Sequence, residues 1–205
     1  MPSIYDLKPK FQALLRPVTN ALARAGVTAN QVTVAAGLLS FTTGAAIGYS
    51  RSFRALLLLP AILFVRMALN AIDGMLAREH NQKTPLGAIL NELGDVLSDA
   101  ALYLPLALIL PFDAVLVVLI VLLATMSEMT GVLAVQIGAS RRYDGPMGKS
   151  DRAFVFGTLG LLLGLELPIF SIVRPVLWIV LVLLVLTVFN RARSALKERK
   201  GLNPS

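Results

Sequence analysis

The chain has 205 residues, 56% of them hydrophobic and 15% charged, with a mean hydropathy of +0.74. A soluble domain carries about 25% charged residues, so a water-soluble fold is excluded, as is intrinsic disorder. The chain has no cysteine, which excludes a disulfide scaffold, and its net charge of +7 is accounted for below by topology, not by a nucleic-acid partner.

In chain order, residues 1–25 form the first unit. Phe11, Leu14, Leu15, Val18 and Leu22 recur at helical spacing opposite Lys10, Gln12, Arg16, Asn20 and Arg24. This pattern predicts an amphipathic helix lying in the membrane interface, or else packed on cytoplasmic loops, with a break at Pro17. Lys8, Lys10, Arg16 and Arg24 interrupt its apolar stretch, so it does not read as a secretory signal.

Crossing about 30 Å of hydrocarbon takes about 20 mostly apolar helical residues. Six segments qualify, near 32–50, 54–78, 86–110, 113–137, 153–173 and 175–191, with Pro168 expected to shorten or kink the fifth. The predicted fold is therefore all-α, a six-helix membrane domain over 26–191 followed by a basic tail over 192–205. Fifteen Lys and Arg fall on the side of the N-terminus, and only Arg51, Arg54 and Arg174 on the other. That asymmetry predicts cytoplasmic termini in a bacterial-type inner membrane.

The second and third segments contain what a lipid-facing helix avoids: Arg66, Asn70, Asp73 and Arg78, then Asn91, Glu92, Asp95 and Asp99. A charged group at a helix centre costs roughly 2.5–3.5 kcal/mol on insertion scales. Arg66, Asn70, Asp73 and Ala77 share one helical stripe, and Gly87, Asn91, Asp95 and Asp99 share another. Two antiparallel helices would set these stripes face to face. Such a cluster suits a hard cation bridging carboxylates to phosphate oxygens; structural polar adhesion between helices is the competing reading. Gly74 leaves room for a bulky ligand.

The run Asn70-x₂-Asp73-Gly74-x₂-Ala77-Arg78-x₈-Gly87-x₃-Asn91-x₃-Asp95 resembles the signature of the CDP-alcohol phosphatidyltransferases, D-x₂-D-G-x₂-A-R-x₈-G-x₃-D-x₃-D. Every spacing agrees; the departures in residue type are Asn70 and Asn91. Val27-Thr28-Ala29-Asn30-Gln31-Val32-Thr33 is similar to the stretch opening the family's first span, and Gly148-Lys149 to the pair before its fifth.

The resemblance implies transfer of a phosphatidyl group from a CDP-linked lipid such as CDP-diacylglycerol to an alcohol, with release of CMP. It implies one or two Mg²⁺ or Mn²⁺ ions held by Asn70, Asp73, Asn91 and Asp95, Asp95 as the catalytic base, and a homodimer. Asn30, Asn70, Asp73, Gly74, Ala77, Arg78 and Gly87 would line the CDP-lipid site. Because both Asn residues lack charge, three arrangements stay open: Glu92 and Asp99 restore it, a single ion suffices, or the chain is a catalytically silent CDP-lipid-binding relative. Lys149, Arg152 and Arg191 would contact a phosphorylated acceptor of the glycerol 3-phosphate or inositol phosphate type. Glu128 faces the cavity, a neighbouring subunit or Arg66, His80 is solvated, and Gly157, Gly160 and Gly164 permit close helix packing.

Overall fold

The computed structural model describes residues 4–202, and every regular element in them is helical. Helix α1 covers Ile4–Arg24, α2 Ala29–Ser50, α3 Leu58–Glu79, α4 Pro85–Tyr103, α5 Ala114–Gln136, α6 Lys149–Gly164 and α7 Phe170–Leu202. Short 3₁₀ turns precede α3 (Arg54–Leu57) and follow α4 (Leu104–Leu108). Local chemistry sets several starts. Thr28 caps α2, its Oγ1 accepting from the Gln31 amide while the Gln31 side chain accepts from Thr28 N. Thr84 caps α4 ahead of Pro85 at its first position, and the Asp113 carboxylate accepts from Val115 N and Leu116 N to open α5.

Four helices are long and apolar enough to cross a membrane: α2, α3 with its 3₁₀ lead-in, α5 and α7. Helix α4 is long enough but carries Glu92, Asp95 and Asp99, whereas α6 is only 16 residues long. At 1.5 Å per residue that is about 24 Å. Sixteen residues replace the expected 153–173 because α6 stops at Gly164. Pro168 therefore lies in the connection to α7, not inside a helix. Two further local expectations are corrected. Helix α1 runs on through Pro17, and His80 is not merely solvated, its Nε2 meeting Asn20 Oδ1 at 3.1 Å. Beyond residue 191, α7 continues unbroken to Leu202; residues 203–205 and the side chain of Lys8 lie outside the described residues.

Helix α2 packs between α3 and α4, α5 lies along α7, and α6 lies on α3. Two small-residue contacts hold the frame. A Cβ on Gly44 of α2 would stand 1.9 Å from the Ala101 carbonyl oxygen of α4, so these helices meet backbone to backbone. On α6, a Cβ at Gly164 would lie 2.6 Å from Leu57 and one at Gly160 3.0 Å from the Leu56 carbonyl, so this glycine series packs within the chain. A large apolar core surrounds the stacked rings of Tyr103 and Phe156, 4.4 Å apart, with Ile47, Leu59, Leu106, Leu177 and Leu184. Large side chains such as Phe41, Phe64, Leu122, Trp178 and Phe189 point outward, as on a lipid-facing surface. A second core of Ala29, Val32, Ile72, Met75 and Leu76 joins α1, α2 and α3 beside the polar stripes. The α3–α4 turn is tied to the start of α2 by Gln82, whose side chain accepts from Ala29 N at 2.7 Å.

Candidate active site

The stripes on α3 and α4 face each other. Asn70 Nδ2 donates to Asp95 Oδ1 at 3.2 Å, and Lys149, the first residue of α6, places its ammonium on the same oxygen. One carboxylate thus gathers α3, α4 and α6. Asp73, one turn from Asn70, is buried, and Thr33 Oγ1 of α2 donates to its Oδ2 at 2.8 Å. Asp73 lies within electrostatic reach of both Asp95 and Lys149.

Around this pair the other signature positions have steric reasons. A Cβ on Gly74 would stand 3.1 Å from Arg78 Nη2, so the guanidinium folds over the bare backbone while remaining exposed. A Cβ on Gly87 would lie 2.7 Å from Asn30 Oδ1, which brings the first turns of α2 and α4 together. Ala77 is half-buried on α3 and Asn91 is exposed on α4, one turn before Asp95.

A second layer of charge lies one turn deeper. Arg66 Nη1 donates to Asp99 Oδ1 at 2.9 Å, and its Nη2 lies 3.8 Å from Asp95 Oδ1. Arg152 Nη2 donates to Asp99 Oδ2 at 2.9 Å and to Glu128 Oε1 at 3.3 Å. Arg191 reaches Glu128 Oε2 at 3.2 Å, the Ser127 carbonyl at 2.6 Å and the Asp144 carbonyl at 3.2 Å. Arg141 pairs with Glu92 and approaches Glu128 at 3.6 Å. Glu128 therefore faces the interior and meets Arg141, Arg152 and Arg191.

The family model for CDP-alcohol phosphatidyltransferase matches residues 26–192, most of the chain. The chain belongs to the CDP-alcohol phosphatidyltransferase family. It is 49% identical over 195 residues to the inner membrane protein YnbA of Escherichia coli strain K12, covering 95% of this chain and 96% of that one. It is 27% identical to the phosphatidylinositol phosphate synthase of Mycolicibacterium smegmatis, over 100% of this chain and 94% of that one. Its fold matches the Mycobacterium tuberculosis phosphatidylinositol phosphate synthase solved with CDP-DAG bound, at a TM-score of 0.74 over 92% of this chain and 96% of that one. The same enzyme has been solved with manganese and citrate, again at 0.74, over 92% of each chain. Both are 19% identical to this chain and speak to the fold. Together with the apolar helices, the YnbA likeness makes this family member an integral membrane protein.

Family members use divalent metals, so the donor set deserves a test against one. Asn70 gives its amide N–H to Asp95, which leaves its carbonyl oxygen free. With the Asp73 and Asp95 carboxylates this is a set of hard oxygens, with the Lys149 ammonium already on Asp95 Oδ1. Among the described residues no three His, Cys, Asp or Glu side chains converge on a common point. Asp99 and Glu92 are each engaged by arginine. The oxygens of Asn70, Asp73 and Asp95 are thus of the kind a divalent cation takes.

Sequence reasoning passed over Thr33, Arg141 and the hub role of Glu128. Thr33 stands one turn after Asn30 in the quoted α2 stretch, so its facing toward α3 had a periodic signal. The Glu128 contacts join positions 13 to 63 residues apart and leave no local pattern to find.

Proposed function

We propose that this membrane enzyme transfers a phosphatidyl group from a CDP-linked lipid, such as CDP-diacylglycerol, to the hydroxyl of an alcohol and releases CMP. The observation that carries the reading is the convergence on Asp95 of the α3 stripe through Asn70 and the start of α6 through Lys149. Asn70, Asp73, Asn91 and Asp95 would hold a single Mg²⁺ or Mn²⁺. When bound, such an ion neutralises charge on the diphosphate oxygens and assists departure of CMP.

The chain's own residues do the rest. Thr33 holds the Asp73 carboxylate in place by its hydrogen bond. Arg78, folded over Gly74, offers its exposed guanidinium to the diphosphate, with Ala77, Gly87 and Asn30 shaping the nucleotide end. Asp95 takes the proton of the incoming hydroxyl as its oxygen attacks the lipid-bearing phosphorus and the bond to CMP breaks. Lys149 orients the Asp95 carboxylate through its ammonium, and Arg66 approaches the same oxygen from below. Because Asp99 and Glu92 are matched by arginines, the reading keeps them as anchors of those cations and not as ion ligands.

In the membrane, α4 and α6 complete six spans. Their polar side chains face one another and not lipid, which offsets the insertion cost of α4. The Lys and Arg bias puts both termini in the cytoplasm, and α1 lies along the interface.

The test is CMP release from CDP-diacylglycerol with Mg²⁺ or Mn²⁺ and a panel of alcohols. Release that falls at least about 100-fold in Asp95→Asn is the expected result for loss of a general base. CDP-lipid binding without CMP release under any condition would instead identify a silent relative.

A further inference from the structure

Glu128 is an acid in the middle of α5, where an ionised group costs roughly 2.5–3.5 kcal/mol on insertion scales, and the transfer step above makes no use of it. Its carboxylate is buried, and each oxygen meets guanidinium groups: Oε1 faces Arg152 at 3.3 Å, and Oε2 faces Arg191 at 3.2 Å and Arg141 at 3.6 Å. These cations come from α6, α7 and the loop after α5, and Arg152 also binds Asp99, one turn from Asp95.

Positive-inside topology alone would leave such cations solvated at the membrane surface. Instead Arg152 and Arg191 are only 1% and 2% exposed. Arg152 also donates to Asp99 Oδ2 and the Met147 carbonyl, and Arg191 donates from Nε to the Asp144 carbonyl and from Nη1 to the Ser127 carbonyl. Each cation also has a carboxylate partner: Lys149, Arg66, Arg141, Arg152 and Arg191 are paired among Glu92, Asp95, Asp99 and Glu128. A phosphate-bearing acceptor would bring roughly two negative charges to arginines that already have carboxylate partners, with the Glu128 carboxylate opposing it. Water cannot screen that repulsion at this depth.

We propose that Glu128 sets the acceptor class: by engaging Arg141, Arg152 and Arg191 it makes the pocket refuse phosphorylated alcohols and accept uncharged ones, such as a free polyol. This rests on the phosphatidyl-transfer reading for the identity of the pocket, and it is the alternative to the phosphorylated acceptor expected from the cations alone. Glu128 is a specificity-determining residue and touches no reacting bond. Replacing it with Gln keeps the shape and releases one net positive charge onto three arginines.

The experiment has two arms on the full-length, detergent-purified protein. In the first, inorganic phosphate and glycerol 3-phosphate are titrated calorimetrically. The wild type shows no saturable binding below about 1 mM, and Glu128→Gln gains binding at least about tenfold tighter. Saturable wild-type binding below that concentration, or unchanged binding in a folded Glu128→Gln, overturns the proposal. Should the variant fail to fold, the wild-type titration decides alone. In the second arm, CMP release is compared for glycerol and inositol against their phosphates. The wild type favours the free alcohols, and Glu128→Gln shifts the kcat/KM ratio about tenfold toward the phosphates; wild-type preference for the phosphates overturns the proposal. No CMP release with any acceptor removes the transfer reading, while the phosphate titration still judges the role of Glu128.

Discussion

Asp73, Asp95 and Asp99 are chemically identical and lie on two adjacent helices, yet their surroundings separate them. Asp99 is held by Arg66 and Arg152, both almost fully buried, so its role is to neutralise them. Removing one member of such a buried network leaves charges unpaired. Asp99→Ala should therefore destabilise the protein by about 3–5 kcal/mol, read as a large fall in detergent Tm, with a much smaller fall for Asp95→Asn, whose carboxylate is partly exposed. Equal losses would mean the two layers are not distinct. In the loop after α5, the Arg142 side chain hydrogen-bonds Asp144 and holds its carboxyl below the ordinary carboxylate range. A depressed carboxylate favours the folded loop above its unfolded pKa of about 3.9, and the benefit is lost as pH falls through the lower folded value. The 137–148 loop should thus resist proteolysis at pH 5 to 7 and become susceptible to pepsin below about pH 3.5. Asp144→Asn should weaken this acid dependence and leave the part carried by Glu198, whose carboxyl is also lowered by Ser140 and Arg142.

At the scale of elements, the α2–α4 contact at Gly44 sets how closely Thr33, Asp73 and Asp95 approach. Because the obstacle to a Cβ is the Ala101 backbone, no side-chain rotation relieves it. Gly44→Ala should cost about 2–3 kcal/mol of stability by overpacking and lower CMP release as the helices part. Unchanged Tm and turnover would show that the helices have slack. Most elements were readable from periodicity and length. The polar stripes were readable too, since Asn70, Asp73, Asn91 and Asp95 sit at helical intervals. What could not be read locally was how α6 ends. Leu161, Leu162, Leu163, Leu165 and Leu167 continue the apolar run past Gly164, so hydropathy has no stop signal where the helix stops. Pro17 likewise reads as a break, but the continuing contacts of α1 with α3, including the Arg16–Glu79 pair at 2.9 Å, accompany an unbroken helix.

For the whole molecule, the apolar exterior and the charged interior are two sides of one arrangement. Helices α2, α5 and α7 give lipid most of their surface, so the ionisable groups of α3, α4, α5 and α6 collect inside at the Lys-rich end. The site in outline was visible in the sequence because membrane burial makes every polar residue conspicuous. Its second layer was not, because pairings such as Arg152 with Asp99 and Arg191 with Glu128 exist only once α4, α5, α6 and α7 are assembled. In the proposed function, Asp73 and Asp95 from α3 and α4 hold one divalent cation on the diphosphate of a CDP-linked lipid. Mn²⁺ bound per chain can be counted by electron paramagnetic resonance with CDP-diacylglycerol present. One ion per chain is expected in the wild type, lost in both Asp73→Asn and Asp95→Asn; two ions, or one that survives both substitutions, would show that these carboxylates do not form such a site.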